Sequence, residues 1–208
     1  MNDPYPPLTE TLARIGKLCS MCGKPLDEVL NTARLSQATG VTETDVRTLL
    51  DGGEPPTEDP DAMVRRRVRF LYETHTGDDG QPKDVRDIAA AIGQTTVWVR
   101  RLVAGDAKPN LVVGHALCKY YGVAPGFLTD SPADALNREL QPVVFDLEVQ
   151  ADPEKTLADL GVRSISGRSP MMEKQNWVAL AQMVASMAEE LRSVNTKLDR
   201  LQNSEGGR

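Results

Sequence analysis

An all-α fold follows from three features of this 208-residue chain. Apolar residues recur at three- and four-residue steps along most of it, the spacing of one helix face. Thr, Asp or Ser stands ahead of several of these segments, and glycine closes many of them, as helix starts and stops require. The last apolar series keeps a strict heptad, which a long pairing helix needs.

The elements follow in order. Residues 1–7 are a Pro-rich, loose leader. "LTETLARIGKLCS" (8–20) sets Leu8, Leu12, Ile15 and Leu18 on one helical face, and "CSMCGKPL" reads as a turn. "LDEVLNTARLSQATG" (26–40) predicts one helix, with Asp27 as its N-cap and Gly40 as its stop. "TETDVRTLLDGG" predicts another, ended by Gly52 and Gly53. "EPPTEDP" (54–60) is an acidic, Pro-rich break. Residues 61–75 form a longer helix. Met63, Val64, Val68 and Leu71 make its apolar stripe, and its arginines lie mostly on the other side. Asp84 caps a helix over 85–93, "QTT" turns, and 97–105 is a helix stopped by Gly105. "NLVVGHALCKYYG" (110–122) is the next helix. Residues 131–140 form one more, ending near Pro142. "VVFDLEV" (143–149) fits either a strand or a helix, 152–161 a capped short helix, and 171–202 a final long helix before a disordered tail, 203–208.

The domains expected are therefore an N-terminal unit over 8–57, a central domain over 61–130 and a C-terminal helical region over 131–202.

Charge is unevenly spread. The chain carries 24 Lys and Arg against 30 Asp and Glu, a net charge of −6. Residues 63–128 hold ten basic and six acidic side chains, so that segment is +4 and the remainder −10. A basic module inside an acidic chain is the electrostatic footprint of a polyanion partner. No apolar run approaches the length of a membrane span. The N-terminal "MNDPYPPLTE" has neither the basic start nor the apolar run of a signal peptide. With three cysteines and no export signal, the location expected is a reducing cytoplasm. Two histidines and no GxSxG, P-loop, HExxH or GxGxxG pattern leave little for catalysis. A non-enzymatic protein without cofactor is expected.

The segment 84–109 has the spacing of a helix-turn-helix. Gly93 follows the first helix where left-handed backbone is needed. Ile88, Ala89 and Ile92 face Val99 and Leu102 across the crossing, where Ala89 is small enough for close approach. The second helix offers its N-terminal end, with free N–H groups and a positive dipole, to DNA.

"DVRDIAAAIGQTTVWVRRLVAGDAKPNLVVGHALCKYYGVAPGFLTD" resembles a lambda-repressor-like (XRE-type) helix-turn-helix domain. The residues that carry the resemblance are Ile88, Ala89, Gly93, Val99, Leu102, Gly105, Pro109, Leu117, Gly122, Val123, Phe127 and Leu128. The chain that follows ("ALNRELQ", "LGVRSISGRSPMMEKQ" and the long last helix) is similar to the EspR-type nucleoid-associated regulators of actinobacteria. The resemblance implies a sequence-specific, double-stranded-DNA-binding transcriptional regulator located at the nucleoid, its C-terminal helices making a homodimer. It places Thr95, Thr96, Val97 and Arg100 at base edges, with Arg101 beside them. Lys108 falls in a loop that touches phosphate, and Arg65, Arg66, Lys83 and Arg86 are further phosphate contacts. Where many members carry Gln near the start of the second helix, this chain has Val85. Trp98 either meets a thymine methyl group or is partly buried against the core.

Residues 35–57 align without gaps on 88–110, at an offset of 53 throughout. Gly40 matches Gly93, Thr42 Thr95, Val46 Val99, Arg47 Arg100, Leu49 Leu102, Gly52 Gly105 and Pro56 Pro109. This predicts tandem helix-turn-helix units. Copy one has Glu43 and Asp45 where copy two has Thr96 and Trp98. Carboxylates facing phosphates oppose DNA binding, so copy one is expected to serve structure or contact a protein. Reading a cytosine amino group through an acid is the other possibility. An adaptor with weak or no DNA binding is the alternative function for the whole chain.

Two further patterns stand apart. Cys19-x-x-Cys22 with His115-x-x-Cys118 has the makings of four zinc ligands; a redox pair at Cys19 and Cys22, or simply inert thiols, are the other readings. Trp177, Leu180, Val184, Met187, Leu191, Val194, Leu198 and Leu201 step by 3 and 4 in strict alternation, with Glu190 and Lys197 at flanking positions. That pattern favours a coiled-coil seam between two copies over an amphipathic helix packed on its own domain. The pairing would set two recognition helices about one DNA turn apart, ~34 Å.

Overall fold

The computed structural model describes residues 5–77, 80–153, 155, 156 and 183. The elements are α1 (Leu8–Cys22), α2 (Leu26–Val29), α3 (Thr32–Thr39), α4 (Glu43–Leu50), α5 (Pro60–Thr74), α6 (Val85–Ile92), α7 (Thr96–Ala104), α8 (Leu111–Tyr121) and α9 (Pro132–Ala151). The fold class is all-α, with no strand among the described residues. The heptad positions Trp177, Leu180, Val184, Met187, Leu191, Val194, Leu198 and Leu201, most of the expected helix 152–161 and the tail 203–208 lie outside the described residues. The chain forms two compact units, Met1–Ala13 with Leu26–Gln141, and Arg14–Pro25 with Pro142–Arg208.

Local chemistry sets the boundaries of the first unit's helices. Asn31, Thr42, Asp59, Asp84, Thr95 and Asn110 each accept a backbone N–H from the first turn that follows. Those bonds satisfy donors that a helix start otherwise leaves unpaired. Three expectations are corrected. Residues 26–40 are not one helix: Asn31, not Asp27, caps α3, accepting the Arg34 N–H at 2.9 Å. An Asn side chain that bonds locally in this way favours a break over a helix interior. The helix expected to end near Pro142 runs through it to Ala151, so 143–149 takes the helical one of its two readings. "CSMC" is helical as well. In the second unit α1 runs to Cys22 because Ile15, Leu18 and Cys19 bury one face. The turn comes at Gly23, after which the Lys24 N–H reaches back to the Cys19 carbonyl at 3.0 Å.

The main core joins α5, α6, α7 and α8 to the 124–130 turn. Leu71, Ile88, Val99, Leu102 and Phe127 are fully buried in it. Arg67 is buried as well, at 0 % exposure. Its Nη1 donates to the carbonyls of Phe127 (2.9 Å) and Asp130 (2.7 Å). Arg67 therefore lies on the inner face of α5, not among the outward arginines that the sequence suggested.

The repeat at offset 53 extends to individual hydrogen bonds. Leu35 N–H to Asn31 O matches Ile88 N–H to Asp84 O, at 3.0 and 3.1 Å. Gly52 to Leu49 matches Gly105 to Leu102, both 3.1 Å, and Gly53 to Thr48 matches Asp106 to Arg101, both 2.8 Å. Gly40 and Gly93 share a left-handed φ of 66° and 67°. The α3–α4 and α6–α7 pairs thus have one backbone plan, and both lie in the same compact unit.

What they pack on differs. A Cβ on Gly40 would stand 2.6 Å from Phe127 Cζ, whereas one on Gly93 would meet nothing within 4 Å. Gly93→Ala should therefore cost only the left-handed strain, about 1–2 kcal/mol. Gly40→Ala should cost that plus overpacking of about 1–3 kcal/mol. Chemical denaturation of the two variants checks the order.

His75 gives a pH dependence. Its ring lies edge-on to Tyr121 and Phe127. Burial, with Lys83 adding to it, holds its pKa below the ordinary 6.5. The folded state thus resists the proton more than the unfolded chain does. The contribution of His75 is whole above the ordinary value and is lost as pH falls below it toward the folded pKa. The melting temperature should drop between about pH 7 and 5, and less steeply in His75→Gln.

Candidate nucleic-acid interface

The start of α7 is uncharged and exposed at its cap. Thr95 Oγ1 accepts the Trp98 N–H at 3.2 Å, which leaves the hydroxyl hydrogen available to an outside acceptor. No acidic residue occupies the first turn, so the positive end of the helix dipole is uncompensated there. Val97 is 66 % exposed. Arg100 and Arg101 are exposed and make no ion pair among the described residues. Val99 and Leu102 anchor the opposite face in the core. Thr96 is half-buried. Trp98 packs against the core from a partly buried position, so of its two readings the structure shows the packing one.

The matching helix α4 is finished differently. Its first turn carries Glu43 and Asp45. Thr42 Oγ1 donates to Asp45 Oδ2 at 2.7 Å and accepts the Asp45 N–H at 3.1 Å, so both ends of the hydroxyl are occupied. Arg47, the counterpart of Arg100, is ion-paired with Glu43 at 3.3 Å. The same frame therefore presents an acidic end in the first pair and a cationic one in the second.

The residues predicted to hold phosphate are more varied than the sequence suggested. Arg66 is engaged inside the protein, paired with Glu58 at 2.9 Å and donating to the Gly40 carbonyl at 2.8 Å. It ties α5 to the end of α3. Lys108 is paired with Asp61 at 2.7 Å. That hydrogen bond, with Arg65 nearby, holds the Asp61 carboxyl below its usual pKa range. The Lys83 ammonium lies 4.8 Å from the Tyr120 ring centroid and 5.2 Å from that of Tyr121, a cation–π placement. Arg86 is exposed and without an ion pair among the described residues.

Arg69 is a residue that sequence reasoning passed over. Its guanidinium donates to the carbonyl of Ala104, at the C-terminal end of α7. It is exposed, so it props the helix from the solvent side. The basic run Arg65-Arg66-Arg67-Val68-Arg69 hid three different roles, and only helical phase separates the buried Arg67 from its neighbours.

No family model, curated protein or solved structure matches this chain. The cysteine and histidine candidates also part company. Cys118 is buried, with its thiol turned to the Pro125 carbonyl at 3.8 Å and pushed up in pKa by burial. His115, one turn earlier on α8, is exposed. In the second unit Cys19 is buried and its thiol pKa raised, first by burial and then by Cys22. Cys22 Sγ donates to the Leu147 carbonyl at 3.6 Å. Among the described residues no three His, Cys, Asp or Glu side chains gather as metal ligands. None of the described helices is long and apolar enough to cross a membrane.

The cap can be tested apart from any ligand. Thr95→Ala should destabilise the protein by about 1 kcal/mol through the lost Trp98 N–H bond, while Thr95→Asp should retain that bond and most of the stability. Urea denaturation distinguishes the two.

Proposed function

We propose that this chain is a DNA-binding transcriptional regulator of the lambda-repressor-like kind, acting as a homodimer at the nucleoid. The start of α7 enters the major groove. Thr95, Val97 and Arg100 face base edges, while Arg101 and Arg86 hold phosphates. The heptad over 177–201 pairs two copies. One observation carries this reading. On two backbones with the same hydrogen-bond plan, Arg47 is neutralised by Glu43 while Arg100 has no ion pair among the described residues. A guanidinium left free on the exposed side of a helix without acids suits bidentate contact with guanine and attraction to phosphate.

Copy one supplies its own control. Thr96→Glu would place a carboxylate four residues before Arg100, as Glu43 stands before Arg47. Helicity should be unchanged, because the frame already tolerates that pair. Affinity for duplex DNA should fall by at least about tenfold, since the new charge both neutralises Arg100 and repels phosphate. Wild-type binding by this variant would remove α7 from the interface.

Salt gives the second measurement. The logarithm of the wild-type association constant should fall with the logarithm of salt concentration, at a slope of about −0.9 per phosphate contacted. Arg100→Ala should cost about 1–3 kcal/mol and relax preference at one base position. Flat salt dependence would instead favour the adaptor reading.

A further inference from the structure

The first helical pair carries an open groove bounded by α2, the start of α3 and the end of α4. Its volume is about 430 Å³. Leu26, Leu30 and Leu50 form its apolar wall, and Asp27 and Asp51 stand on its rim. Leu26 is 44 % exposed, so its side chain is open to a partner at the groove. Arg47 also reaches the groove, but Glu43 holds it. The surrounding segment is strongly acidic: residues 26–59 contain eight Asp and Glu against two Arg.

The complementary surface is on the second pair. The exposed face of α7 offers Val97 next to Arg100 and Arg101, an apolar residue followed within a turn by two cations. The two surfaces do not meet within one chain. Both pairs belong to one compact unit, and Arg66 and the Gly40–Phe127 contact fix the first pair in place. In that arrangement neither Arg100 nor Arg101 pairs with any acid of the first pair. A second copy has no such restriction.

We propose that α7 of one copy docks in the α2–α4 groove of another. Val97 packs on Leu26, Leu30 and Leu50, and Arg100 and Arg101 meet Asp27 and Asp51. The contact is heterologous, since each copy uses a different patch for each neighbour, and so it adds copies head to tail instead of closing a pair. Its occupant is the helix assigned above to DNA, so assembly and DNA binding exclude one another. Only this exclusion rests on the proposed function; the docking itself does not.

Sedimentation of the full chain tests the docking. At about 50 mM salt, species larger than a dimer should grow with concentration, and at about 500 mM they should dissolve, because the charge pairs lie on a screened rim. Asp27→Arg with Asp51→Arg should weaken this assembly at least about tenfold, as should Arg100→Glu with Arg101→Glu. The fourfold variant that exchanges both sets should restore it, which separates lost charge complementarity from damaged folding. Absence of the larger species at low salt, indifference to the aspartate changes or failure of the exchange to restore assembly would each overturn the docking. A 30-base-pair duplex as probe separates the two readings. The aspartate variant should bind it no less tightly than wild type. A wild-type protein that assembles but ignores the duplex would refute the DNA reading and leave the docking intact.

Discussion

Burying one guanidinium organises the first unit. Arg67 has no contact with solvent; its Nη1 donates to two carbonyls of the 124–130 turn, while its Nε and Nη2 are buried without a hydrogen-bond partner. Burial lowers its pKa to about 10, with Arg66 adding to the effect, which still leaves it cationic at neutral pH. A buried charge of this kind must be hydrogen-bonded, or it strongly destabilises the fold. The turn is therefore held wherever Arg67 is held. Phe127 then faces inward, stacked at 6.4 Å on Phe70 and edge-on to His75. Its ring is the seat on which Gly40 rests, so the turn that Arg67 holds also carries the first helical pair.

The two pairs show how little of a helical frame depends on its outward face. Capping threonines, left-handed glycines and the buried positions Val46 and Val99 recur at a fixed interval. The acids of the first turn do not recur. In α4 the first turn satisfies its own dipole and its own arginine; in α7 both are left open. Segregation of this kind leaves one helix start acidic and the other free of acids, within one compact unit and without any change of fold.

Much of this could be read from the residues alone. Helical periodicity and caps gave the class and most boundaries, and the 53-residue offset was visible before any hydrogen bond was known. Errors arose where a residue had two competing roles. Asn31 could continue a helix or start one, and only its bond to Arg34 decides. Pro142 reads as a stop, yet α9 runs through it. Side-chain partners distant in sequence were not legible at all. Nothing in the chain of letters ties Lys108 to Asp61, or Arg66 to Glu58 and the carbonyl of Gly40, so cations that pair internally looked the same as those that do not. Arg67 was legible in principle, since it follows Val64 by three residues and precedes Leu71 by four, but its charge argued against the core.

The buried bond between Thr11 Oγ1 and Asn137 Oδ1, 2.8 Å long, joins residues 126 positions apart. On a ribosome that distance is time. At roughly 5–20 residues per second, the partner of Thr11 arrives about 6–25 s after it, and the seat for Gly40 is also made late. The N-terminal helices thus leave the ribosome long before the surfaces that cover them exist.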